Sequence, residues 1–379
     1  KNISMKFTVS SSELLHGLLS VSRVISNRNT LPILDNFLFV LSGNTLEVTA
    51  SDLEMTLKTT IAIEDVQEEG EIAVPAKLLT DSLKEFPDLP LQFSTEANEE
   101  ILNISWMSGA SKIPFFPADD YPSVPELGDM AISASFPSDI LLTGVNNTIY
   151  ATAEDELRPV MNGIFFDMTP ENTTLVATDS HKLVYYTRND VKVAEKCSFI
   201  LPKKPAAILR SLLGKSEDLV KVTFDMKNAY FEFDGNILIC RLQEGTYPAY
   251  RSVIPKNNPN KLVINRVSLL NAVKRVAVCS NQSTSHIKLS LSFNKLVISA
   301  SDTNFSMSAH ETLDCTYEGD EMHIGFKSTF LAEILNNLPY EEVSIELSDP
   351  TRAGLILAAG ETDPEEVICS LLMPIRIPS

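Results

Sequence analysis

One phrase of this chain occurs three times at nearly constant spacing, and that limits the fold more than any other feature. TASDLEM (49–55), VATDSHK (176–182) and SASDTNF (299–305) set Asp52, Asp179 and Asp302 at intervals of 127 and 123 residues. A second anchor joins EIAVPAKLL, SFILPKKPA and MHIGFKSTF, and aligns Lys77, Lys204 and Lys327 at the same two intervals. A third places Leu14, Leu141 and Leu269 at 127 and 128. The mismatch between 128 and 123 predicts a shorter segment in the third copy around Gln282–Ser290. The period is too long for a solenoid unit, so each copy is expected to be a domain. Pro-rich joints at YPSVPELGD (121–129) and IPKNNPNK (254–261) separate them. The expected domains are 5–127, 130–255 and 256–379, with Met5 of MKFTV as the natural start.

Each copy opens on a strand pattern followed by capping residues and a helical stripe, such as Leu14, Leu15, Leu18, Val21 and Ile25. Midway the plan recurs: EIAV reads as a strand and Ala76–Phe86 as a helix. TLEVTASD, LQFST and ILNISW alternate as half-buried antiparallel strands do. Two helices on antiparallel sheets per copy give an α+β fold.

ATDSHKL (177–183) also puts Asp179, Ser180 and His181 side by side, the residue types of a nucleophilic triad. Consecutive residues alternate between faces of a strand and cannot converge. With no phosphate loop or nucleophile motif elsewhere, no catalytic residue is assigned. Cys197, Cys240, Cys279, Cys315 and Cys369 are scattered with no CxxC pair, so no metal, cofactor or disulfide framework is expected. No apolar run or leader-like start is seen, and a reducing cytoplasm is the expected setting.

A net charge of −19 argues against nucleic acid only if the cations are scattered. They are not. The helix stretches carry Arg23, Lys77 and Lys84 in copy one, with Arg28 just beyond. Copy two has Lys203, Lys204, Arg210 and Lys215; copy three has Arg266, Lys274, Arg275 and Lys327. Cations on corresponding helices suit a regular polyanion held through phosphates. No base-reading motif accompanies them, so binding without sequence specificity is expected.

The order of MKFTVSSSELL, NTLPILDNFLF, ASDLEM, AVPAKLL, RPVMNGIFF, VATDSHKLV, YPAYRSVIPK, IGFKSTFLAEIL and MPIRI resembles the bacterial DNA polymerase III beta subunit, the replicative sliding clamp. The resemblance implies three clamp domains per chain, closing as a head-to-tail homodimer into a six-domain ring around double-stranded DNA. Arg28 matches a DNA-contacting residue of that family. A hydrophobic groove would receive short peptides of the replicative polymerase, the clamp loader and repair polymerases. Carried over by motif, its residues are Met161, Thr178, Ser180, His181, Lys182, Leu183, Pro248, Val253, Leu371, Leu372, Met373, Pro374, Ile375 and Arg376. The dimer edge would involve Ile113, Val278 and Cys279. Ser252 and Thr351 depart from some members, and Pro378 and Ser379 run past the usual ending. Asp179 has counterparts in every copy and is expected to be architectural, whereas His181, Lys182 and Leu183 are peculiar to copy two.

Overall fold

The computed structural model describes residues 4–26, 29–96, 100–214 and 219–376. It forms two compact units, one of Lys1–Ile140 with Ala207–Leu242, the other of Leu141–Ala206 with Gln243–Ser379. Six helices of eight residues or more punctuate the described strands: α1 (Ser11–Val21), α2 (Ala76–Leu83), α3 (Ser138–Thr148), α4 (Lys203–Leu213), α5 (Arg266–Ala277) and α6 (Ser328–Asn337). Leu14, Leu141 and Leu269 each fall at the fourth helical position and are buried, as the repeat predicts. Ser10 caps α1 by accepting from the Glu13 amide at 3.3 Å, and Asn265 caps α5 through Ser268 at 2.9 Å. Each such cap is worth about 1 kcal/mol.

The strands form four antiparallel sheets, and the two largest are shared between repeats. In the first unit, strand Met55–Ala62 of copy one pairs with Asn236–Arg241 of copy two, making a nine-stranded sheet. In the second unit, Lys182–Arg188 of copy two pairs with Glu366–Leu372 of copy three, making another. The same seam is thus built twice: the strand after the Asp turn joins the last strand of the following repeat. Two smaller sheets are left with strands that lack this partner among the described residues. The five-stranded sheet ends at Gly109–Pro114 and the four-stranded sheet at Met307–Asp314.

The repeated aspartate makes the same turn each time. Asp52 Oδ1 accepts from the Glu54 and Met55 amides, Asp179 Oδ1 from His181 and Lys182, and Asp302 Oδ1 from Asn304. These are Asx turns, in which the carboxylate replaces a missing backbone acceptor. Leu53 and Ser180, the residues after the aspartate, both take positive φ, 76° and 73°.

The third turn is longer. Asp302 pairs with Met307, whereas Asp52 closes on Met55 and Asp179 on Lys182. The strand that leads into α6, and the start of α6 itself, are displaced by two residues. Pro75, Pro202 and Lys327 are the equivalent strand ends, paired with Asn36, Gly163 and His286. Lys77 and Lys204 therefore correspond to Thr329, and the expected equivalence with Lys327 is corrected. The shortening earlier in copy three lies at 278–285. There one short connection replaces the paired 3-10 turns Ser22–Val24 with Pro32–Asp35, and Ile149–Ala151 with Pro159–Met161.

Candidate functional site

Register decides which side chains can share a surface. In the second unit's large sheet Thr178 lies opposite Leu183, and Leu183 opposite Leu371, so these three face one way. On that face Leu183 and Leu371 pack with Val176, Ile200, Tyr247, Tyr250, Ala353, Leu355 and Cys369, while Val160, Phe165, Tyr185, Ile254 and Leu357 lean against them. The segment 247–254 lies along this cluster. Val253 is 56% exposed beside it, Pro248 half-buried, and Met373 42% exposed at the end of the last strand. An apolar floor with partly exposed Val and Met at its margin can accept short apolar side chains.

Backbone bonds fix the other margin. Met373 donates its amide to the His181 carbonyl at 2.9 Å, and Ile375 to the Gly325 carbonyl at 2.9 Å. Pro374 and Ile375 are consequently half-buried and Arg376 is exposed. Ser180 is exposed and its hydroxyl accepts from Arg158 Nη1 at 3.0 Å. His181 is exposed and its ring stacks on Phe330, with centroids 5.7 Å apart.

Three expected groove residues lie elsewhere. Lys182 and Leu372 are paired partners one residue out of phase with Leu183 and Leu371, so they face the opposite side of the sheet. Lys182 is 4% exposed there, bonded to Asp179 Oδ2 at 2.7 Å and Glu333 Oε2 at 3.0 Å, with its ammonium 4.5 Å from the Phe330 ring centroid. Met161 ends the 3-10 turn Pro159–Met161 and is half-buried, and it is Val160, one residue earlier, that packs on the cluster. Tyr247, Tyr250, Leu355 and Phe330 were missed. Tyr247 and Tyr250 come from the joint that ends the second repeat, Leu355 from strand Gly354–Ala358 and Phe330 from α6, and only folding brings them to ATDSHKL.

The triad types do not converge. Asp179 is used by two amides and Lys182, Ser180 by Arg158, and His181 by Phe330. Among the described residues no three His, Cys, Asp or Glu side chains are placed to hold a metal.

The basic residues differ in exposure and in how firmly their partners hold them. Arg23, Lys77, Lys204, Arg210 and Lys274 are exposed on or beside helices, with α1 packed beside α2 in one unit and α5 beside α6 in the other. Lys84 pairs with Asp81 at 3.0 Å and Lys203 with Glu154 at 2.7 Å, exposed contacts that cost little to exchange for phosphate. Arg275 is held by two bonds to Glu311, which raise the guanidinium and lower the carboxyl from their usual ranges. Arg266 donates to the Tyr340 and Leu335 carbonyls, closing the end of α6. Lys327 lies 4.6 Å from the Phe330 ring centroid, with the groove margin rather than with Lys77 and Lys204. Arg28 and Lys215 fall outside the described residues, as do Ile377, Pro378 and Ser379.

Of the expected dimer residues, Val278 is 75% exposed just past α5 and Cys279 is half-buried. Ile113 is buried within its own unit, so its strand can offer a partner the backbone edge rather than that side chain.

Comparison with known proteins agrees along the whole chain. Residues 5–125, 135–249 and 251–376 match the N-terminal, central and C-terminal domains described for the DNA polymerase III beta subunit. The beta sliding clamp of Proteus mirabilis is 32% identical over 349 residues, covering 91% of this chain and 94% of that protein. That of Escherichia coli (strain K12) is 29% identical over 373 residues, covering 98% and 100%. A crystal structure of the Pseudomonas aeruginosa clamp bound to griselimycin superposes with a TM-score of 0.93 at 28% identity, covering 99% and 100%.

Proposed function

The chain belongs to the DNA polymerase III beta subunit family, and from that premise we propose how its parts carry out clamping. It is a DNA sliding clamp for the replicative polymerase. The clamp domains are 5–127, 130–255 and 256–379. Two copies close head to tail into a six-domain ring in the cytoplasm, and the ring performs no chemistry of its own.

The observation that carries this reading is the twice-built seam with its two unfilled halves. Met307–Asp314 is the counterpart of Met55–Ala62 and Lys182–Arg188, while Gly109–Pro114 is the counterpart of Asn236–Arg241 and Glu366–Leu372. One copy's spare strand therefore supplies what the next copy lacks, and the heterologous contact closes when the rotation does. Arg23, Lys77, Lys204, Arg210 and Lys274 would face the duplex, joined by Lys84 and Lys203 when they exchange their carboxylates for phosphate. Arg28 is assigned there by family likeness.

Partner peptides would lie on the apolar face bounded by Thr178, Leu183, Pro248, Val253, Leu371, Met373, Pro374 and Ile375. Ser180, His181 and Arg376 would serve as polar margins. Griselimycin, bound by the Pseudomonas aeruginosa clamp, is a natural probe for this groove. Tethering raises a partner's local concentration on the template without any new contact to DNA.

The test is topological. The protein is loaded by its clamp loader onto nicked circular DNA, which is then cut once. Retention on the circle and loss from the linear molecule is the expected outcome; retention on free-ended DNA would exclude a ring.

A further inference from the structure

The two joints between repeats begin alike and then diverge. At the first, the Tyr121 hydroxyl donates to the Thr49 carbonyl at 3.4 Å; at the second, Tyr247 donates to Val176 at 3.5 Å, and Thr49 and Val176 are repeat equivalents. The second joint then adds an anchor that the first lacks. Asp167, in strand Gly163–Met168, is 6% exposed. Its Oδ2 accepts from the Tyr250 hydroxyl at 2.8 Å and from Arg251 Nη2 at 3.1 Å, and Arg251 Nε donates to the same hydroxyl at 3.0 Å. Phe165, on the same sheet face, stacks on Tyr247 with centroids 4.7 Å apart and meets the edge of Tyr250. In the first repeat the corresponding positions are Val40 and Val124.

We propose that Asp167 is a positioning residue for the peptide groove, holding residues 250–253 in the arrangement that makes Val253 a groove wall. This rests on the groove assigned above. A carboxylate buried to this degree is costly when unpaired, so Tyr250 and Arg251 cannot leave it singly. With both held, the turn in which Ser252 donates to Ala249 and Val253 to Tyr250 is fixed at its start. Among the described residues the anchor occurs in the repeat that carries the groove and not in the first, which separates it from scaffolding common to both joints.

The experiment measures griselimycin binding by calorimetry and amide exchange at Ser252 and Val253, in the full-length dimer. Asp167→Asn keeps the volume and removes the charge. It is expected to weaken binding about tenfold and speed exchange at both amides about tenfold, with dimer mass and retention on circular DNA unchanged. Tyr250→Phe, which deletes only the hydroxyl, is expected to lose part of the affinity, and Asp167→Glu to restore most of it. Unchanged affinity and exchange in both Asp167→Asn and Tyr250→Phe would overturn the proposal. So would affinity losses that merely track the unfolding midpoint across the three variants. Failure of the unsubstituted protein to take griselimycin would instead overturn the groove reading, and this inference with it.

Discussion

Keeping Lys182 at 4% exposure takes two carboxylates and a ring face, from Asp179, Glu333 and Phe330. Such a buried cation fixes geometry more than it adds stability, because desolvation offsets much of the attraction. Lys182 thus ties the Asp turn to α6 while its neighbour Leu183 faces the groove. Burial, and then the hydrogen bond to Asp167, push the Tyr250 hydroxyl up to about 12, so it stays a donor at any working pH. His286 has a titration that bears on stability. Burial, and then the nearby Lys327 ammonium, hold its imidazole below the usual range. The folded state therefore resists protonation that the unfolded chain accepts near pH 6.5. Nothing is lost above that pH; stability falls as pH drops below it, until the folded pKa is passed. His286→Gln is expected to reduce the drop in thermal unfolding midpoint between pH 8 and pH 5, measured by calorimetry; an unchanged drop would clear His286. At this scale the sequence was legible where a residue serves its own turn, as Asp52, Asp179 and Asp302 do. Asp167 was illegible, because its partners lie more than eighty residues away and only folding pairs them.

Helices and turns repeat by local chemistry, which is why Leu14, Leu141 and Leu269 located α1, α3 and α5 from sequence alone. Lys327 shows the limit of that method. The two extra residues between Asp302 and Met307 sit inside a hairpin turn, where an insertion disturbs no apolar pattern. The alignment therefore slipped without any visible penalty. The seams, which join strands from different repeats, leave no local mark at all. They do allow a register to be transferred. Met55 faces Cys240 at the first seam, and Ile113 occupies the position of Cys240 in its own hairpin. Met307 is the counterpart of Met55, so Ile113 of one copy should face Met307 of the next, and Lys112 should face Ser308. Directly opposed strand residues have Cβ atoms about 4.5–5.5 Å apart, and the short end of that range meets the geometry of a disulfide. A Lys112→Cys, Ser308→Cys protein is expected to give an oxidation-dependent dimer band on a denaturing gel, well above the unsubstituted background. Stronger cross-linking from Ala110→Cys with Ser308→Cys would disprove the register.

Over the whole molecule, 50 acidic residues outnumber 31 basic ones, yet exposed cations recur on the helices. A sliding contact needs affinity that is diffuse and salt-labile, and phosphate contacts supply it at about 0.9 log units per log of salt for each phosphate neutralised. The combined substitutions Arg23→Glu, Lys77→Glu and Lys274→Glu are expected to flatten the salt dependence of binding to short linear duplex. The change should be about two to three units of slope, roughly one for each phosphate left without its cation. Fluorescence anisotropy across a salt series would measure it, and an unchanged slope would move the duplex away from these helices. The shared sheets also set a timetable for synthesis. Strand Met55–Ala62 must wait for Asn236–Arg241, whose last residue follows its own by 179 positions. At roughly 5–20 residues per second a ribosome needs about 10–35 s to cover that distance. For that interval the nascent chain carries an unpaired sheet edge, guarded along its length by Lys58 and Thr60. Slower synthesis would therefore lengthen the time in which that edge can pair wrongly.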